Sequence, residues 1–279
     1  GAKWRELLTF ACVPLESAAA RHITRATPTK RFAMFTRLMT AAALTAFAFP
    51  VIAQQHTPEA QLFDALGMDD MLEVMREEGI AYGMQIDQEM LGGSGGRDWR
   101  ATVELIYDSE RMKTEVSAEL AAEMAGMDIA PMLDFFTSDL GQEIITLEVS
   151  ARRALLDEVV EAASKDAAAI ASAQETPRFL QVQRFADVND LIETNVVGGM
   201  NSNFAFYMGL MEGGALNGDI SEEQILTDVW SQEADIRQNT QDWVYSYSLL
   251  AYQPLSDNDL DAYIAFSESA AGQDLNRAL

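Results

Sequence analysis

The fold class is decided by residues 133–173, which read LDFFTSDLGQEIITLEVSARRALLDEVVEAASKDAAAIASA. This stretch is rich in Ala, Glu, Leu and Arg, which are strong helix formers. On both sides of it, apolar residues recur at helical spacing, and nothing resembles alternating strands joined by hairpin turns. The sequence therefore predicts an all-α protein.

Caps and breakers predict where individual helices begin and end. Thr57 followed by Pro58 is typical of a helix start, and Asp98 is the expected cap of a later helix. A short helix is expected from Ser117 to about Met124. Glu175-Thr176-Pro177 predicts a break, and Ser221 begins a capping-box sequence.

A ten-residue segment of this stretch is similar in sequence to a segment near the end of the chain. FFTSDLGQEI at 135–144 is echoed by FSESAAGQDL at 266–275, and residues 69–73 resemble 189–193 in the same order along the chain. Self-similarity of this kind indicates repeated supersecondary units. We expect a helical bundle built from two similar multi-helix units, at 54–174 and 178–279.

The repeated sequence motif has the features of a corner between two helices. A serine at the helix start can accept a hydrogen bond from an otherwise unpaired backbone N–H group. A glycine at the third helical position permits close backbone contact, and an aromatic residue one turn upstream points into the joint. The predicted helix-corner motif consists of Phe135, Ser138, Gly141, Phe266, Ser269 and Gly272.

This phrase resembles the signature of the DUF2059 family of exported bacterial proteins, which usually reads F-Y-x-S-P-x-G. Residues 135–141 and 266–272 match it, each without the proline. The resemblance covers about 110–155 and, more weakly, 245–279. It implies an exported helical protein. Because the family has no agreed activity, the resemblance implies no catalytic residue.

The N-terminal region predicts export. Residues 34–53 contain Arg37 followed by an uncharged run of about 15 residues, which is short for a membrane span but typical of a signal peptide. Cleavage is expected near Ala53/Gln54, which would leave the protein in the periplasm or secreted, with no membrane span. Residues 1–33 are interpreted either as an extension from a start site placed too early or as a long charged leader.

Charge and composition exclude several classes of function. The chain has a net charge of −25, and because residues 1–53 hold 7 of 19 bases and 2 of 44 acids, the remainder carries −30. Such a chain repels nucleic acid and anionic lipid. The single cysteine, Cys12, precedes the cleavage position, and no histidine follows His56. Cysteine or histidine nucleophiles and histidine-ligated zinc are therefore not expected, and no motif predicts a cofactor.

Two kinds of site remain open. A pair of carboxylates could cleave glycosidic bonds, and a candidate such as Glu143 would need an apolar pocket that raises its pKa. An aromatic cluster could instead line a groove for a peptide, glycan or apolar ligand. The predicted groove residues are Trp230, Trp243, Tyr245 and Tyr247.

These observations favour a non-catalytic protein of the cell envelope that binds or interacts with an envelope protein, a peptide or a glycan. The alternative is a carboxylate-dependent hydrolase acting on an envelope polymer. The sequence does not decide whether the protein is an enzyme, although the missing nucleophile systems favour binding.

Overall fold

The computed structural model describes residues 57–213 and 220–279, and the regular secondary structure in these two ranges is entirely α-helical. The predicted all-α class is confirmed. The predicted extension and signal peptide, together with residues 214–219, lie outside the described residues. Within these ranges, no helix combines the length and the apolar character needed to cross a bilayer.

The helices follow one another with short connections. The first part of the chain forms α1 Pro58–Ala65, α2 Met68–Met90, α3 Gly96–Ile106, α4 Ser109–Glu123, α5 Ala130–Phe136, α6 Asp139–Ala154 and α7 Glu158–Ala173. The second part forms α8 Pro177–Val188, α9 Leu191–Glu212, α10 Glu222–Ser231, α11 Glu233–Tyr252, α12 Asp257–Glu268 and α13 Ala270–Ala278. The break predicted at 175–177 separates α7 from α8.

Several predicted helix starts are confirmed, and two are wrong. Thr57 Oγ1 accepts a 3.2 Å hydrogen bond from Ala60 N, and Ser221 forms a complete capping box. Asp98, in contrast, lies inside α3, because Gly95 already occupies the cap position. The helix expected from Ser117 begins earlier, because the Asp108 carboxylate caps the start of α4.

The stretch 133–173 forms three helices. Its first interruption, at Ser138, is the predicted corner. Its second, between α6 and α7, was not predicted. There the Asp157 carboxylate accepts a 2.8 Å hydrogen bond from Val159 N, which satisfies a donor at the start of α7. Local capping thus outweighs the high helix propensity of the surrounding residues.

Helix α11 is the centre of the bundle and packs against α6, α7, α8 and α9. Small residues on several of its faces are almost completely buried, among them Ser246, Ser248 and Ala251. Small side chains let neighbouring helices approach closely from more than one side. This packing explains why α11 lacks the single apolar stripe of a surface helix.

One hydrophobic core cluster includes buried side chains from both predicted units. Phe136 from α5, Tyr252 from α11, and Leu260 and Ile264 from α12 are each at most 2% exposed. Burying a side chain of this size contributes about 1.5–3 kcal/mol to folding. The aromatic and aliphatic residues at this junction therefore stabilise both parts of the chain together.

The two predicted corners have closely matching geometry. Ser138 Oγ donates to Phe135 O at 2.6 Å and accepts from Gly141 N at 3.1 Å. Ser269 Oγ makes the same two contacts, with Phe266 O and Gly272 N, at 2.6 and 3.1 Å. The predicted capping role of both serines is confirmed.

Both glycines are required by close backbone contact. A Cβ atom on Gly141 would lie 2.2 Å from Phe135 O, and one on Gly272 would lie 2.1 Å from Phe266 O. Real Cβ atoms do not come so close to a backbone oxygen, so each corner needs a residue without a side chain. The wider similarity of the two units stays a prediction.

The corners face each other. The rings of Phe135 and Phe266 stack with centroids 4.2 Å apart and 13° between their planes. Each corner is also tied to an earlier helix end by a glutamine: Gln142 Nε2 donates to Ala65 O at 2.9 Å, and Gln273 Nε2 donates to Val188 O at 3.0 Å. Each corner is therefore tied to the end of the first helix of its own part, α1 or α8.

Candidate ligand-binding cleft

A partly open cleft of about 290 Å³ lies beside the facing corners. Its walls come from α2, α5, α6, α8, α9, α12 and α13, so both predicted units contribute to it. The lining is mostly apolar and includes Met68, Met71, Ile145, Phe185, Leu191 and Leu275. An apolar concavity with a few convergent polar groups is the usual form of a small-molecule site.

Helix α6 supplies the charged groups of the cleft. Its buried positions Gly141, Ile144, Ile145 and Val149 recur at helical spacing and face the core. Glu148 lies on the same side of the helix and lines the cleft, as does Arg152 one turn later. A charged residue at such a position needs a partner, because moving an unpaired charge away from water is unfavourable.

The partners of Glu148 are tyrosines. Its Oε1 accepts hydrogen bonds from the hydroxyl groups of Tyr252 at 2.7 Å and Tyr263 at 3.3 Å. Tyr247 donates to the main-chain oxygen of Glu148 at 3.2 Å. Within residues 57–213 and 220–279, Oε2 of Glu148 has no hydrogen-bond partner, and it is not sealed from the cleft. One carboxylate oxygen is thus held by tyrosines while the other faces the cleft.

Burial changes the acidity of this group. Glu148 is half-buried, and desolvation of its carboxyl group by the surrounding protein raises its pKa from 4.5 to about 7. The hydrogen bonds from Tyr252 and Tyr263 oppose the increase. Burial, together with the nearby Glu148 charge, raises the pKa of both tyrosines well above the usual value of 10. Near neutral pH, Glu148 is therefore divided between two protonation states, while both tyrosines remain donors.

The charge of Arg152 is matched by Glu78 on α2. Its Nε and Nη2 atoms donate to the two carboxylate oxygens at 2.9 Å each, and the two side chains are 6% and 13% exposed. The guanidinium also donates to the sulfur of Met71 at 3.7 Å and lies 5.9 Å from the ring centre of Trp243. Since Glu78 neutralises Arg152, Glu148 is an acid with no ion-pair partner in the described part of the chain.

The predicted corner motif borders this cleft. Phe266 and Gly272 line it directly, and Phe135 stacks on Phe266 behind it. Ser138 and Ser269 cap helices and do not line the cleft. The corner was predicted as a packing device, and the position of a cleft beside it was not predicted.

The aromatic residues predicted to form a groove are only partly brought together. Trp243 and Tyr247 stack with centroids 4.9 Å apart, whereas Tyr245 packs on Phe179 at 5.1 Å. Trp230 is 62% exposed on α10. None of the four predicted residues lines the cleft, although Tyr247 and Trp243 contact Glu148 and Arg152 from behind. A ligand role for these rings stays a prediction.

Sequence reasoning missed the central acid. It considered Glu143, which is exposed, and overlooked Glu148 five residues later on the same helix. A usable signal was present, because Glu148 and Arg152 interrupt the apolar series formed by Ile144, Ile145 and Val149. Charged residues inside an apolar helix face mark positions where the fold supplies partners.

In the described ranges, no group of three or more His, Cys, Asp or Glu side chains is arranged to hold a metal ion.

Residues 110–169 match the family DUF2059, described as an uncharacterized protein conserved in bacteria, and the predicted resemblance is confirmed. No curated protein and no solved structure matches the chain. The matched segment runs from the start of α4 into α7 and therefore includes Ser138, Gly141, Glu148 and Arg152.

Proposed function

We propose that this chain, similar over residues 110–169 to an uncharacterized bacterial family, is a non-catalytic protein that binds a small and mostly apolar ligand in the cleft around Glu148. The observation that carries the proposal is Glu148 Oε2, which has no hydrogen-bond partner among the described residues and belongs to a side chain in a cleft lined by seven helices. A single oriented polar group in an apolar concavity positions a ligand without performing chemistry on it.

The cleft supports binding better than hydrolysis. Cleavage of a glycosidic bond ordinarily requires two carboxylates on opposite sides of the bond. Of the described residues that line the cleft, Glu148 is the only acid, and nearby Glu78 is engaged by both of its oxygens with Arg152. The carboxylate-dependent hydrolase therefore lacks a second acid at this site.

The size of the cleft limits the ligand. A volume of about 290 Å³ is close to the lower end of ligand sites, which run from about 300 to 1,000 Å³. It suits a small molecule, or the apolar end of a peptide, better than an extended polymer. The proposed site of action is the periplasm, because residues 34–53 have the charge and apolar pattern of a signal peptide.

The proposal is tested by methyl NMR of the full chain during titration with 4-phenylbutan-1-ol, a neutral probe with an apolar body. Weak, saturable binding at about millimolar concentration is expected for a ligand of this size. The shifts should concentrate on the methyl groups of Met68, Met71 and Ile145, which line the cleft.

Two tryptophan variants on α9 give a matched comparison. Thr194 lines the cleft and is half-buried, so Thr194→Trp should fill it and abolish binding. Val197 is 56% exposed on the same helix, so Val197→Trp should bind the alcohol as the unmodified chain does. Equal binding by both variants, or no saturable shift in the unmodified chain, would refute the proposed site.

A further inference from the structure

The neutral polar groups of the cleft carry no charge for a ligand to pair with. The side-chain amide of Asn189 donates to Phe185 O at 2.9 Å, and that of Asn195 donates to Leu191 O at 2.7 Å. Asn276 Nδ2 donates to Asn189 O at 2.9 Å. These three amide groups line the cleft, and each has one of its two N–H donors engaged with a backbone oxygen. The hydroxyl groups of Thr194 and Ser267 also line the cleft and can donate or accept.

The one cationic group that lines the cleft, among the described residues, is also engaged. The guanidinium of Arg152 makes two hydrogen bonds to Glu78 and one to the sulfur of Met71. An anionic ligand would thus have to displace an almost fully buried ion pair. The price of breaking such a pair is high, because the partner left behind is an unpaired charge in a buried place.

An acceptor, in contrast, is offered to the ligand. Glu148 Oε2 faces the cleft, while Oε1 is fixed by Tyr252 and Tyr263 and cannot turn away without losing both hydrogen bonds. The rings of Phe185 and Phe266 also line the cleft, and aromatic faces attract cations. The net charge of −25 raises the local concentration of cations around the whole protein.

We infer that the ligand is an organic cation: a protonated amine on an apolar body, whose ammonium group donates to Glu148 Oε2 while the body lies against the apolar walls of the cleft. This inference rests on the proposed binding function of the same cleft and adds the chemical class of the ligand. When Glu148 is protonated before binding, its proton leaves to solvent as the ammonium group pairs with the carboxylate.

The titratable and charged side chains near Glu148 come from its own helix and from the helices packed against it. They are Tyr247 and Tyr252 from α11 and Tyr263 from α12. On its own helix the nearest charged group of the cleft is Arg152, which is neutralised by Glu78 from α2. The tyrosines keep their protons at neutral pH, so Glu148 is the group whose protonation changes when a cation binds.

The test compares three probes with the same apolar body on the full chain at pH 8. They are 4-phenylbutan-1-amine, 4-phenylbutan-1-ol and 4-phenylbutanoate, and binding is measured by methyl NMR. The amine should bind at least about tenfold more tightly than the alcohol, as expected for a hydrogen bond to a charged group. The carboxylate should bind most weakly, because its charge is repelled by Glu148.

Glu148→Gln should remove the preference for the amine over the alcohol, because the amide carries no negative charge. Glu143→Gln, which changes an exposed glutamate on the same helix, should keep the preference. If the amine binds no more tightly than the alcohol, or if Glu148→Gln retains the preference, the inference is wrong and the cleft remains a site for neutral ligands. If no probe binds, the proposed function itself fails.

A second measurement does not depend on the folding of a variant. Calorimetric titration of the unmodified chain at pH 6, in two buffers of different ionisation enthalpy, reports proton release directly. Binding of the amine should release about one proton, because Glu148 is mostly protonated at that pH. The alcohol should release none. The same proton count for both probes would overturn the inference.

Discussion

The hydroxyl group of Tyr252 donates a 2.7 Å hydrogen bond to Glu148 Oε1 across 104 residues of sequence. Tyr252 is at the end of the central helix α11 and is 1% exposed, while Glu148 lines the cleft. The same contact therefore joins the two parts of the core and fixes the polar group of the proposed site. Changes to this pair are expected to alter both stability and ligand binding.

Glu148→Gln is expected to change how stability depends on pH. The carboxyl group titrates near pH 4.5 in the unfolded chain and near 7 in the folded protein, so the folded state binds the proton more tightly. The contribution of this carboxyl group to the free energy of unfolding is fully present below pH 4.5 and is lost as the pH rises through about 7. The total loss is at most roughly 3 kcal/mol.

Urea unfolding between pH 4.5 and 8 measures this difference. The unmodified chain should lose stability relative to Glu148→Gln over that range, with the change complete above pH 7 to 8. Glu143→Gln should follow the unmodified chain at every pH, because Glu143 is exposed. Parallel curves for Glu148→Gln and the unmodified chain would show that burial does not perturb this carboxyl group.

Tyr252→Phe is expected to move the titration of Glu148 to higher pH. The hydroxyl hydrogen bond favours the ionised carboxylate and holds its pKa down, so removing the hydroxyl raises the pKa above about 7. The affinity for 4-phenylbutan-1-amine should increase as Glu148 loses its proton. The midpoint of this increase should therefore lie at higher pH in Tyr252→Phe than in the unmodified chain. Tyr207→Phe serves as the control, because Tyr207 makes no hydrogen bond to Glu148. A shift toward lower pH for Tyr252→Phe would show that the Tyr252 hydroxyl does not stabilise the ionised carboxylate.

The helix corners could be predicted from sequence because their contacts are local. Ser138 and Gly141 interact with residues at most a few positions away, and the same holds for Ser269 and Gly272. The class followed from helix propensity and from apolar spacing. The wrong starts of α3 and α4 arose where Gly95 and Asp108 precede the caps that were expected. Where several neighbouring residues could each cap a helix, the tertiary structure decides which of them does so.

The cleft could not be predicted in the same way. Glu148 acquires its role through Tyr252 and Tyr263, which are 104 and 115 residues away, and Arg152 acquires its partner 74 residues away. In the sequence, Glu148 is one acid among 44. The sequence shows that Glu148 lies on the apolar face of α6. The tyrosine hydroxyl groups that offset the cost of burying its carboxylate can be identified only once α11 and α12 pack against α6.

Arg152→Ala is expected to destabilise the protein strongly. It removes the partner of Glu78, whose side chain is 13% exposed, and leaves a carboxylate in a buried place. Breaking one side of such a pair costs about 3–5 kcal/mol. Arg153→Ala gives a matched control, because Arg153 is half exposed and its contact with Glu77 is 4.0 Å long, so a loss within about 0.5 kcal/mol is expected.

Chemical denaturation of both variants measures the difference. The double variant Glu78→Gln with Arg152→Met should recover part of the loss, because it removes both charges together. Equal stability of Arg152→Ala and Arg153→Ala would mean that the pair with Glu78 is solvated in solution.

Alanine at either corner glycine is expected to destabilise the fold. The new Cβ atom would lie 2.2 Å from Phe135 O at Gly141, and 2.1 Å from Phe266 O at Gly272. Since these contacts are with backbone, relief requires the two helices of each corner to separate, which costs about 1–3 kcal/mol or more. Separation at either corner would also disturb the stacked Phe135 and Phe266 rings.

Gly209→Ala is the matched control, since Gly209 lies inside α9 and its added Cβ would meet no atom within 4 Å. Alanine there should stabilise the protein by roughly 0.5–1 kcal/mol through better helix propensity. Thermal or urea unfolding of the three variants separates the two effects by sign. A stabilising Gly141→Ala or Gly272→Ala would show that the helices at the corner are not held in contact, and the shared phrase would then need an explanation other than close packing.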